Sequence, residues 1–106
     1  MKNIKILDCT LRDGGYYNNW KFSISEANKY LKQVYSSKIN VVEIGFSYFE
    51  ENKNYGNFAF SEKKIINKLI KSKDTKLSVM INASDFFKIR KNYVNFLNKK
   101  FKRKKL

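Results

Sequence analysis

Arg12 and Asp13 stand side by side in the stretch "LDCTLRDGGYYNNW", Leu7 to Trp20, and Asp8 lies just upstream of them. A carboxylate such as Asp13 is a hard oxygen ligand suited to a divalent cation. A guanidinium keeps its proton at any working pH and can stabilise an enolate or carboxylate oxygen. Glu43 interrupts the apolar run "VVEIGF". A carboxylate buried there without a partner is costly, and Arg12 is the best partner for it, through a bidentate pair. Asp8 has two readings, a cap for free backbone N–H groups or a support for metal ligands. Cys9 reads as a small buried filler, since the chain has no histidine to activate a thiol. Gly14 and Gly15 fit either a tight turn with positive φ or a close approach to substrate. Tyr16, Tyr17 and Trp20 fit either a substrate mouth or packing of the loop, with packing favoured.

The elements that would position these residues follow from the periodicity of the chain. "IKIL", Ile4 to Leu7, is a β-prone run that stops at Asp8, followed by a polar loop. Ser23 and Glu26 have the S-x-x-E spacing of a capping box. Ala27, Leu31, Val34 and Tyr35 then repeat at helical spacing, which predicts a helix from about Ser23 to Ser36. "VVEIGF" is the second strand and 47–59 a polar and aromatic loop. Ser61 is the next expected N-cap, with Phe60 and Ile65 as a staple and Ile65, Ile66, Leu69 and Ile70 as the buried stripe. "KLSVMIN" is the third strand. Ser84 or Asp85 can cap a last helix in which Phe86, Ile89, Tyr93, Leu97 and Phe101 share a face.

The order β-α-β-α-β-α, with nearly continuous apolar strands, predicts an α/β fold with a parallel sheet covered by helices. In such folds the chemistry sits in loops after the carboxyl ends of strands. Asp8, Arg12 and Asp13 fall after the first strand, and Glu43 lies near the end of the second. Alternation along the strand leaves open which face Glu43 takes.

"LDCTLRDGG" resembles the signature opening of the DRE-TIM metallolyase superfamily, which includes hydroxymethylglutaryl-CoA lyase, 4-hydroxy-2-oxovalerate aldolase and the isopropylmalate and homocitrate synthases. The longer string to Trp20 is most similar to the aldolase-type branch with an HMG-lyase-like domain. The resemblance runs from about Ile4 to Asn82, and it implies the first three βα units of a TIM (β/α)8 barrel, truncated. It further implies Asp13 as a metal ligand, Arg12 as the residue that stabilises the enolate of a 2-oxo acid or acyl substrate, and Glu43 as the residue that orients Arg12. The implied cofactor is Mg²⁺ or Mn²⁺, which polarises the carbonyl as a Lewis acid. Family members complete the metal site with an H-x-H pair on a late strand, and this chain has no histidine. A complete barrel of this kind needs about 250 residues. The expectation is therefore an N-terminal portion with an incomplete site, truncated or frame-interrupted and inactive alone, or completed by a second polypeptide.

The formal net charge of +14 is unevenly spread. Nine of the 23 basic residues, and none of the nine acidic ones, fall in 86–106. That division sets 1–85 as the aldolase-type part and 86–106 as a basic amphipathic helix or tail, either the third barrel helix or an out-of-frame end. A second functional reading is a small module binding nucleic acid or an anionic surface through this tail. It has no zinc pattern, recognition helix or RNA-binding signature to support it, so nucleic acid is not the expected partner. No run reaches the roughly 18 apolar residues of a membrane span. A single cysteine and the absence of a signal-peptide pattern in "MKNIKILDCT" set a cytoplasmic expectation.

Overall fold

The computed structural model describes residues 4–50, 52–85 and 98. Three parallel strands, β1 (Leu7–Asp8), β2 (Val41–Phe46) and β3 (Lys76–Met80), form an open sheet in the order β1-β2-β3. Helices alternate with them: α1 (Thr10–Asn18) and α2 (Ile24–Ser36) follow β1, and a 3-10 turn (Asn57–Ala59) and α3 (Lys63–Ile66) follow β2. The α/β class and the parallel sheet are as the sequence predicts.

α2 begins where the capping box places it. The Glu26 N–H donates to Ser23 Oγ at 2.9 Å and the Ser23 N–H donates to Glu26 Oε1 at 2.9 Å. The Ser23 backbone N–H and then the Ser23 side chain, with Lys29 nearby, hold the Glu26 carboxyl below its ordinary range. Ala27, Leu31 and Val34 point into the same core as Val42 and Ile44 of β2. Because successive strand residues face opposite sides, Glu43 is directed away from Val42 and Ile44. Glu43 lies in the middle of β2 and not near its end as expected, because the strand runs on to Phe46; it opposes Ser78 of β3, Phe46 opposes Met80, and an irregularity separates the two pairs. An extra residue on β2 returns Phe46 to the face of Glu43. That face receives α1.

Four other expectations change. The strand predicted at Ile4–Leu7 pairs only at Leu7 and Asp8, because the ladder starts where β2 starts; Ile4, Ile6 and Leu7 are exposed along this edge. The polar loop after it contains a helix. Ser61 does not cap α3: it is buried and its Oγ donates to the Phe58 carbonyl at 3.0 Å, while Glu62 occupies the N-cap position. The second stripe is only partly buried, since α3 ends at Ile66; Ile65 and Leu69 enter the core, and Ile70 is exposed. The predicted last helix and the basic tail lie outside the described residues, apart from a helical turn at 83–85.

Candidate active site at the strand tips

The carboxyl end of β1 runs directly into α1, and Asp8 makes the join. Its Oδ1 accepts the Thr10 N–H at 3.1 Å, and its Oδ2 accepts the Thr10 hydroxyl at 3.1 Å and the Tyr30 hydroxyl at 2.6 Å. Of the two readings of Asp8, the geometry gives the cap. Burial first, then the bond to Asp8, pushes the Tyr30 phenol up.

Arg12 lies in the first turn of α1. Its Nε meets Glu43 Oε2 in an ion pair, and its Nη1 lies 3.2 Å from Asp13 Oδ1. The two members of the inner pair are largely covered, with 20% and 10% of their side chains exposed, whereas Asp13 is 61% exposed. Burial, the largest single cause, would lower the guanidinium's pKa, but the Glu43 and Asp13 carboxylates together outweigh it and the net shift is upward. Arg12 is thus held as a fixed positive charge whose own counter-ion anchors it from below.

Cys9 donates its thiol to Asp13 Oδ2 at 3.3 Å, and that bond, followed by burial and the Asp13 charge, pushes the thiol up. A thiol kept protonated in this way is a poor nucleophile. Both oxygens of Asp13 are therefore engaged within the chain. No group of three or more His, Cys, Asp or Glu side chains among the described residues could hold a metal ion. Beside Arg12 and Glu43, the exposed carboxylate open to a divalent cation is Asp13, one ligand of the several that a metal site needs.

Packing explains Gly15 of the glycine pair and places no demand on Gly14. Neither Gly14 nor Gly15 has positive φ; both are helical. A Cβ on Gly15 would run into the Trp20 indole, while one on Gly14 would meet only Phe22 at 3.8 Å. Trp20 is buried, and its Nε1–H donates to the Arg12 carbonyl at 2.9 Å. Around it stand Tyr16, Phe46, Tyr48 and Tyr55, with centroids 4.9, 5.3, 5.7 and 5.3 Å away in edge-to-face contacts. Tyr48 also stacks on Phe46 at 4.8 Å, and burial is the main cause of its phenol being pushed up to about 12. The aromatics pack α1 onto β2; Tyr16 and Tyr17 remain exposed on its outer side.

The structure therefore brings together Arg12, Asp13 and Glu43, the three site residues read from the sequence. It adds Trp20 as the group beneath them and Gly45 as the point where β2 admits the Phe58 carbonyl. The sequence does carry one sign of α1. Asn18-Asn19 suits a helix end, and Asn19 adopts φ 56° there with its N–H donating to the Gly15 carbonyl.

No family model and no curated protein matches the chain. Among solved structures it is similar to one described as the "N-terminal domain of a putative aldolase" from Bacteroides vulgatus, with 31% identity and a TM-score of 0.59 over 77% of this chain. The chain spans 27% of the length of that structure. No described helix is long and apolar enough to cross a membrane. The chain is an open, three-stranded parallel α/β unit that resembles the Bacteroides vulgatus domain in fold and in sequence.

Proposed function

We propose that this chain is the N-terminal portion of a divalent-metal-dependent aldolase or lyase of the DRE-TIM type, acting on 2-oxo acid or acyl substrates through an enolate. The observation that carries the reading is the covered pair between Arg12, in the first turn of the helix that follows β1, and Glu43 within β2, in a unit similar to an aldolase-type domain. For a 4-hydroxy-2-oxo acid, a base supplied from outside this chain takes the C4 hydroxyl proton, C4 becomes an aldehyde or ketone carbon as the C3–C4 bond breaks, the electron pair passes through C3 to the C2 oxygen, and C3 then takes up a proton to give pyruvate. A fixed cation beside that oxygen stabilises the charge that develops on it. Arg12 is that cation, and Glu43 sets its direction. A bound Mg²⁺ or Mn²⁺ would polarise the same carbonyl, with Asp13 as one ligand and the others supplied from outside this chain, as barrel units completing the wall or as a second polypeptide.

The test is a chimera in which residues 4–85 replace the matched segment of the Bacteroides vulgatus protein. Assayed with Mg²⁺ or Mn²⁺ and 4-hydroxy-2-oxo acids, it is expected to release pyruvate in a metal-dependent way. A folded chimera that stays silent on substrates its parent cleaves would refute the assignment.

A further inference from the structure

We propose that Trp20 is the positioning residue of this site, with its indole fixing the backbone of α1 so that the Arg12 side chain meets Glu43. The inference rests on the proposed function only for the use to which Arg12 is put; the geometry itself is independent of turnover.

α1 is a weak helix by its own means. Its N-cap, Cys9, makes no side-chain capping bond, and two glycines sit in its interior. Each costs roughly 1 kcal/mol against alanine. Only Leu11 and Gly15 are buried along it. Something else has to hold the helix in register, and Trp20 touches it at two points. The ring occupies the space a Cβ on Gly15 would take, and the Nε1–H grips the carbonyl of Arg12 itself.

Trp20 is in turn fixed from the other side. Its backbone has φ 58°, and its N–H donates to the Gly15 carbonyl at 3.0 Å and to Asn18 Oδ1 at 3.1 Å. Its carbonyl accepts the Phe58 N–H at 3.3 Å, and the neighbouring Asn19 carbonyl accepts the Gly56 N–H at 2.7 Å. The residue therefore joins the segment after β2 to the backbone of the residue that carries the charge. An arginine side chain has several rotatable bonds, so its head is placed accurately only if its root is placed accurately. Displacing a catalytic group by about 1 Å can cost a factor of 100 in rate.

The test uses the ¹⁵N-labelled 106-residue chain, which has one tryptophan and hence one indole N–H signal. Arg12→Lys identifies the Arg12 Nε–H signal. Trp20→Phe keeps an aromatic ring and removes the indole N–H. Exchange of the Arg12 Nε–H is expected to quicken about tenfold, the weight of one lost hydrogen bond, while the amides of α2 stay dispersed. A residue that merely filled space would leave that exchange unchanged in the folded variant, and this result would overturn the proposal. Should Trp20→Phe not fold, Glu43→Gln decides the matter with Trp20 in place. Freeing the Arg12 head is expected to move the indole signal, and an unmoved indole would overturn the proposal. A silent chimera with this coupling intact would sink the aldolase reading alone.

Discussion

Arg12→Gln in the chimera is expected to lower kcat by a factor of 100 to 1,000, roughly the loss seen when one preorganised donor to a developing oxyanion is removed. Glutamine keeps much of the length and a donor but no charge. If Arg12 acts on the enolate and not on the bound substrate, kcat and kcat/KM fall together. If it only binds the substrate carboxylate, KM rises and kcat stays. Cys9→Ala provides the contrast, because it removes the thiol that bonds Asp13 and leaves the Arg12 charge in place. Its kcat at saturating metal is expected to change by less than about tenfold, the weight of one hydrogen bond.

Gly45→Ala is expected to have the largest effect on stability. The Phe58 carbonyl lies where the new methyl would go, and Gly45 has φ 157°. That carbonyl cannot easily move, since the Phe58 N–H donates to Trp20 and its oxygen accepts the Ser61 hydroxyl. Overpacking against a fixed backbone and strain on φ each cost about 1 to 3 kcal/mol. A loss of about 3 kcal/mol, read from urea midpoints of the 106-residue chain, follows. Gly14→Ala should do the reverse. Its methyl would meet only Phe22 at 3.8 Å, and alanine gains roughly 0.8 kcal/mol over glycine in a helix interior. Equal midpoints for the two variants would contradict the packing described for β2.

Much of this was readable from residue patterns. The capping box, the β-branched run of β2 and the apolar run of β3 each gave one local signal that tertiary packing did not oppose. The Arg12–Glu43 pair was readable for an energetic reason: a carboxylate inside a strand must find a partner, and the nearest positive charge at the strand tips was Arg12. Of α1 only the Asn18-Asn19 end was legible, because Gly14 and Gly15 argue against a helix and the compensating contact comes from Trp20, beyond the helix end. Ser61 misled for a similar reason. Its residue type suits an N-cap, but burial beneath the 3-10 turn turned its hydroxyl towards Phe58 instead. The exposure of Ile4, Ile6 and Leu7 could not be seen in a pattern that marks strands by their apolar content alone.

The most direct measurement is the affinity of the metal-loaded chimera for oxalate, a planar dianion that resembles the enolate of pyruvate. The account predicts that, at saturating metal, Arg12→Gln weakens oxalate binding by about 100-fold, the equivalent of about 2.7 kcal/mol. Oxalate bound equally well with and without the Arg12 charge would contradict it.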